Sequence, residues 1–198
     1  MKEKNIIYII SLIAGSLMLE GVILIALQIF FRDCMSAEVN IITIVVAIII
    51  ASILYPYILL KKTYSVSRID LGICYQPILS TSLLIGSIIC LGRILLLQNF
   101  SKGIILIIIQ NLFVAIGEEF VARACLFYLL RKIISNEKLI MLISAIIFVF
   151  VFHSNSSLMD NLVWRLPVTI LLVFVYSKTN SVINCSIVHM TYNVFVSV

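Results

Sequence analysis

The chain has 198 residues, of which 63% are hydrophobic and only 12% charged, and its mean hydropathy is +1.21. Values this far from those of soluble domains exclude a water-soluble globular protein and identify an integral membrane chain. The net charge of +5 is scattered over short connectors rather than gathered on one folded face, so it reports membrane topology and excludes nucleic acid as a partner.

A spanning helix needs about 20 apolar residues at ~1.5 Å each. Segments that meet or approach this length run, in chain order, over residues 6–31, 39–60, 76–97, 103–130, 139–152, 161–176 and 182–198. The predicted fold is therefore all-α, a polytopic transmembrane bundle of about seven helices. The first segment is longer than a signal-peptide core, contains Glu20 and lacks a small-x-small cleavage site, so it is read as a retained helix. Pro56, Pro77 and Pro167 mark kinks or helix starts. Cys34, Cys74, Cys90, Cys125 and Cys185 form neither a C-x-x-C pair nor a zinc-ribbon spacing, and read as small apolar fillers.

The connectors are polar in an alternating way. With the N-terminus in the cytoplasm, Lys2, Lys4, Lys61, Lys62, Arg68, Arg131, Lys132, Lys138 and Lys178 fall on the inner side and only Arg32 and Lys102 on the outer side. This bias predicts a multi-pass protein of the cell membrane with a cytoplasmic N-terminus and the lipid bilayer as its main partner. Glu20, Arg93 and Arg165 lie inside apolar segments, where pairing of the carboxylate with one of the two arginines is the cheapest arrangement.

The stretch Gly117-Glu118-Glu119-Phe120-Val121-Ala122-Arg123 places three charges within the fourth apolar segment. A charge at the bilayer centre costs about 2.5–3.5 kcal/mol on insertion scales, so such a cluster survives only where it is paired, faces a cavity or is used. On a helix Glu119 and Arg123 lie about 40° apart, one turn along the axis, which suits an ion pair. Glu118 and Arg123 diverge by about 140°, which leaves Glu118 free. In the last segment His189 and Asn193 are spaced i, i+4 and point the same way; together they can hold an oxyanion, or His189 can bind a metal. Glu118, His153 and His189 sit roughly 20, 22 and 17 Å from the inner helix ends at ~1.5 Å per residue, so they are predicted to meet at one depth. Residues 139–152 are too few to cross a ~30 Å core. His153 and the run Ser154-Asn155-Ser156-Ser157 are therefore predicted to end inside a protein-lined, wet cavity.

Each of these residues also has a packing explanation: a helix-packing carboxylate for Glu118, an intrahelical ion pair for Glu119 and Arg123, and interhelical hydrogen bonding for His153, His189 and Asn193. Two function classes follow. One is a peptidase with a base and oxyanion donors in a hydrated intramembrane cavity. The other is a non-enzymatic membrane protein, either an immunity or scaffold protein or a proton-coupled transporter, although no inverted-repeat halves are visible.

The order Glu118-Glu119-x-x-x-Arg123, a Phe-rich helix ending in His153, and His189-x-x-x-Asn193 resembles the CPBP family of intramembrane proteases, also called the CAAX protease and bacteriocin-processing, or Abi, family. The resemblance runs from Gly103 to Val198. It implies a division into residues 1–102, with about three N-terminal transmembrane helices, and residues 103–198 as a catalytic core. It further implies a CAAX-type endopeptidase acting on a membrane-embedded or membrane-adjacent peptide, in peptide maturation or bacteriocin self-immunity. Glu118 and His153 would activate water, His189 and Asn193 would stabilise the oxyanion, and Glu119 with Arg123 would brace the site. The family is often described as metal-dependent, while a metal-free glutamate mechanism is argued for its eukaryotic members. A divalent ion such as zinc on Glu118, His153 and His189 thus stays an open expectation, with no His-Glu-x-x-His motif to support it. The chain departs from the family pattern at Val149, where Phe-x-x-x-His would have its phenylalanine, and at Ala122 and Ala124, which flank Arg123 in place of an aromatic and a glycine. These changes are expected to alter cavity shape and substrate fit, since the polar groups are all retained.

Overall fold

The computed structural model of the chain describes residues 2–74, 76–97 and 102–197. Among these residues it forms seven helices and no strand. They are α1 (Lys2–Phe30), α2 (Ala37–Tyr64), α3 (Pro77–Leu97), α4 (Lys102–Arg131), α5 (137–152), α6 (Leu158–Thr179) and α7 (Val182–Ser197). Each predicted segment corresponds to one helix; Val198, the expected last residue of the seventh, lies outside the described residues.

Capping groups rather than hydrophobicity set the ends. Ser36 Oγ accepts from the Val39 amide at 3.3 Å, Asn136 Oδ1 from Lys138 and Leu139 at 3.0 and 3.3 Å, and Ser157 Oγ from Asp160 at 3.0 Å. These side chains satisfy amides left over in the first helical turn, which is why α2, α5 and α6 begin before their apolar runs do. Ser65 and Asn180 close α2 and α6 in the left-handed conformation, with φ of 53° and 46°.

Helices α1, α2, α3, α4 and α6 are long and apolar enough to cross a membrane. Helix α5 reaches only about 24 Å at ~1.5 Å per residue and stops short of a full crossing. Four helices widen into π turns, at Ile49–Leu54 in α2, Phe120–Cys125 in α4, Phe148–Phe152 in α5 and Asn161–Arg165 in α6. Two of these turns immediately precede Pro56 and Pro167. A proline crowds the carbonyl four residues before it, here that of Ser52 or Val163, and a wider turn relieves that contact. Pro77 opens α3.

One end of the bundle is tied by polar contacts. Tyr64 donates to Asn5 Oδ1 at 2.6 Å, and Arg131 donates to Glu137 at 2.9 Å and to Asn180 at 3.2 Å. Gly72, with φ 64°, lets its connector lie against the α6–α7 corner: its carbonyl accepts from the Val182 amide at 2.9 Å, and an added Cβ would lie 2.7 Å from the Asn180 carbonyl oxygen. Beneath this end Leu12, Leu60, Leu71, Phe127, Leu129 and Tyr176 are buried together, so helices from both halves of the chain share one core. At the opposite end Lys102 pairs with Glu38.

Side chains of α2 press directly on the α4 backbone at Gly117. A Cβ on Gly117 would stand 2.5 Å from Ile48 Cγ2 and 3.1 Å from Ser52 Cβ, so the hydrogen side chain sets the approach of the two helices next to Glu118. Gly117→Val is expected to push them apart and to cost about 1–3 kcal/mol through overpacking. A lowered melting temperature in detergent, with loss of any activity that depends on Glu118, is the measurement.

Candidate active site

Glu118 and Glu119 end the regular part of α4, just before its π turn. His189 of α7 lies between them, with Nδ1 2.9 Å from Glu119 Oε1 and Nε2 3.6 Å from Glu118 Oε2. Glu119 Oε2 is in turn 3.2 Å from Arg123 Nε, and neither side chain of that pair has any solvent exposure. The ion pair expected from the i, i+4 spacing is therefore present, and it has an imidazole as a third member.

Arg123 is held from two further sides. Its Nη1 donates to Ser144 Oγ at 3.0 Å, and that hydroxyl donates to the Ala122 carbonyl at 3.1 Å, a carbonyl of the π turn whose regular helical partner is lost. The guanidinium carbon also stands 4.9 Å from the centre of the Phe148 ring, a cation–π contact in a desolvated setting. Nε and Nη2 of Arg123 and Oε2 of Glu119 have no hydrogen-bond partner, so Glu119 and Arg123 attract each other as charges without hydrogen-bond geometry.

Glu118 is the looser carboxylate: its side chain is 25% exposed, against 0% for Glu119. It forms part of the wall of two neighbouring cavities. One, of about 200 Å³, is lined by Glu118, Phe148, His153, Arg165, His189 and Asn193 among others. The second, of about 310 Å³, lies towards α1 and α2 and has Glu20, Ser52 and Phe152 in its wall together with Glu118. The structure thus brings Glu118, His153, His189 and Asn193 from two helices and a helix end to a single cavity, with Glu119 and Arg123 buried behind it.

His153 makes no direct contact with the glutamates. Its Nδ1 lies 2.8 Å from Arg165 Nη1, and its ring meets Phe148 edge-on at 5.0 Å, while His189 meets the same ring at 6.0 Å. Phe148 is thereby a common wall for both imidazoles and for Arg123. This accounts for the departure at Val149. In a regular helix the residue packing one turn before His153 is four positions back, whereas a π turn holds one extra residue and brings forward the fifth. Phe148 supplies the aromatic that the family pattern places at 149.

Three expectations are corrected by the coordinates. Glu20 does not meet an arginine: α1 packs on α2, so its carboxylate accepts from Ser52 Oγ at 3.2 Å and faces the chamber beside Glu118. Arg165, expected as a candidate partner for Glu20, joins the site instead because the turn between α5 and α6 is short and the Asn161 amide closes it onto the His153 carbonyl at 3.2 Å. Ser154, Asn155 and Ser157 are exposed rather than enclosed, since α5 stops and α6 starts at the surface of the bundle, while His153 and Ser156 are half-buried. The one cue in the sequence to Arg165 and Glu20 was their charge within apolar segments.

Glu118, His153 and His189 do not fit a three-ligand metal centre as arranged. Among the described residues no three His, Cys, Asp or Glu side chains are placed to hold an ion. His189 has committed Nδ1 to Glu119, and a guanidinium stands directly behind His153.

Residues 99–195 match the family described as Type II CAAX prenyl endopeptidase Rce1-like. Through these residues the chain belongs to that family. No curated protein and no solved structure matches it. The Rce1-like family is one of CAAX-type proteases, and this member, with its several long apolar helices, is a multi-pass membrane protein. The Rce1-like match takes in α4 to α7 and with them Glu118, His153, Arg165, His189 and Asn193; it leaves out α1 to α3, including Glu20 and Ser52.

Proposed function

We propose that the protein is an intramembrane endopeptidase that hydrolyses a peptide bond in a membrane-embedded or membrane-adjacent peptide. The observation that carries this reading is Glu118, a carboxylate with no hydrogen bond of its own, in the wall of a cavity shared with two imidazoles and an amide. A carboxylate so placed takes a proton from water as the water oxygen bonds to the scissile carbonyl carbon. The π electrons of the carbonyl move to its oxygen, where His189 and Asn193 donate to the oxyanion. The carbon–nitrogen bond then breaks, Glu118 returns the proton to the leaving amine, and a free carboxyl group remains on the other product. His153 helps to place the water. Glu119 and Arg123 hold His189 without touching the substrate.

In this reading residues 103–198 carry the chemistry, residues 1–102 shape the chamber next to Glu118, and the end of the bundle rich in lysine and arginine faces the cytoplasm of a cell whose membrane the protein spans. Peptide maturation and bacteriocin self-immunity are the biological settings the reading supports.

The test uses purified protein in liposomes with prenylated and unprenylated CAAX-type peptides, with products identified by mass spectrometry. Wild type is expected to cleave, and Asn193→Ala to lower kcat by about 10²–10³-fold with a smaller change in KM, as the loss of one oxyanion donor does. Absence of cleavage, together with a cellular phenotype that survives Glu118→Gln, would move the protein to the scaffold or immunity class. Solute flux driven by a proton gradient would make it a transporter.

A further inference from the structure

We infer that Arg165 is a positioning residue that fixes His153 as the Nε2–H tautomer, so that His153 serves the reaction as a hydrogen-bond donor and Glu118 alone takes the proton of the attacking water. This rests on the peptidase reading for its catalytic part and on geometry alone for its tautomer part.

A guanidinium has five N–H donors and no acceptor, and it keeps its charge at every pH a protein tolerates. With Arg165 Nη1 2.8 Å from His153 Nδ1, Nδ1 must be the acceptor and cannot carry a hydrogen. The ring proton is then on Nε2, the nitrogen left for the cavity. A doubly protonated ring would set N–H against N–H at that distance beside a permanent cation. The arrangement is braced twice by the same turn of α6, because Asn161 Nδ2 binds the His153 carbonyl at 3.2 Å while Arg165 binds the ring. Phe148 closes one side of the ring at 5.0 Å. The charged and titratable groups that share the cavity with His153 are Arg165 from α6, Glu118 from α4, and His189 and Tyr192 from α7.

An imidazole in this tautomer has no lone pair to offer the water's hydrogen, because its one lone pair is taken by Arg165. It can donate Nε2–H to the water oxygen, whose second lone pair remains for attack on the carbonyl carbon, and afterwards to the oxyanion as negative charge grows there. His153 is thus fixed as a donor by the cation on its Nδ1, whereas His189, whose Nδ1–H is given to Glu119, donates from Nε2 only when that nitrogen also carries a proton. The proton balance then passes through a single carboxylate.

The experiment is nitrogen-15 NMR of the reconstituted, histidine-labelled protein, with the two imidazoles assigned through His153→Ala, combined with steady-state kinetics across pH. In wild type the His153 signals are expected to report Nε2–H over the whole working range. In Arg165→Met, which keeps the apolar stem and removes the donors, the ring is expected to exchange between tautomers. In the same variant kcat should fall about a hundredfold with KM nearly unchanged, and the pH profile should gain an acid limb as the ring becomes free to take a proton. Arg165→Lys is expected to restore Nε2–H and part of kcat, which a purely structural contact would not require. A wild-type Nδ1–H tautomer overturns the inference, as does an Arg165→Met protein whose His153 signals and pH profile are unchanged. If wild type cleaves no peptide and His153 is still locked as Nε2–H by Arg165, the peptidase reading fails and the tautomer assignment stands.

Discussion

Glu118→Gln is expected to lower kcat by about a thousandfold, the middle of the range for losing a general base, while the melting temperature and membrane abundance stay at wild-type values. The two halves of this expectation have one cause. Glu118 accepts no hydrogen bond, and the imidazole that faces it stands with Nε2 at 3.6 Å, so an isosteric amide removes no strong interaction from the fold. It does remove the one carboxylate among the described residues of the cavity wall shared with His153 and His189, a group able to take the proton of water without first losing a hydrogen-bond partner. Side-by-side turnover assays and thermal melts of the two proteins in one detergent decide it. Cleavage within tenfold of wild type would remove Glu118 from the role of base, and a large loss of stability would recast it as a packing carboxylate.

Arg123→Met is expected to do the opposite, taking away the fold rather than a chemical step. It would leave the Glu119 carboxylate wholly buried with a neutral or shared partner in His189. It would also strip Ser144 of the hydrogen bond it accepts and Phe148 of its cation. Breaking one side of a buried pair costs about 3–5 kcal/mol, which corresponds to a fall of about 6–20 °C in melting temperature for a chain of this size. The telling comparison is the double variant Arg123→Met with Glu119→Gln, in which no charge is left unpaired. It should be more stable than Arg123→Met alone, although still inactive, because His189 loses the carboxylate that orients it. If the double variant is the less stable of the two, or if Arg123→Met melts like wild type, the buried network does not hold the site together.

The residues that sequence reasoning reached and those it missed differ in the range of the forces that place them. Glu119 and Arg123 are four positions apart on one helix, and His189 and Asn193 likewise, so local geometry alone put each pair on one face. That His189 would insert between Glu118 and Glu119 depends on α4 and α7 packing side by side, which no local spacing encodes. The π turns escaped for a related reason. A hydrogen-bond register shifted by one residue has no distinct composition, yet it decides that Phe148, and not Val149, walls the two imidazoles. Glu20 and Arg165 were visible as charges in apolar runs, but their partners were assigned by economy of charge, whereas Ser52 and His153 reach them first in the folded chain.

From the order of its side chains alone, this protein was bound to be a bundle of seven apolar helices with three ionisable groups in the middle of the fourth. Burial of apolar length in lipid dictates helices and the cost of isolated charge dictates a cavity, and both can be summed along the chain without knowing its contacts. Which nitrogen of each histidine faces the cavity and which aromatic closes it were settled only when the helices came together. Those outcomes turn on hydrogen bonds a few ångströms long between residues 12 to 70 positions apart, distances that the tertiary structure sets and the linear chain does not.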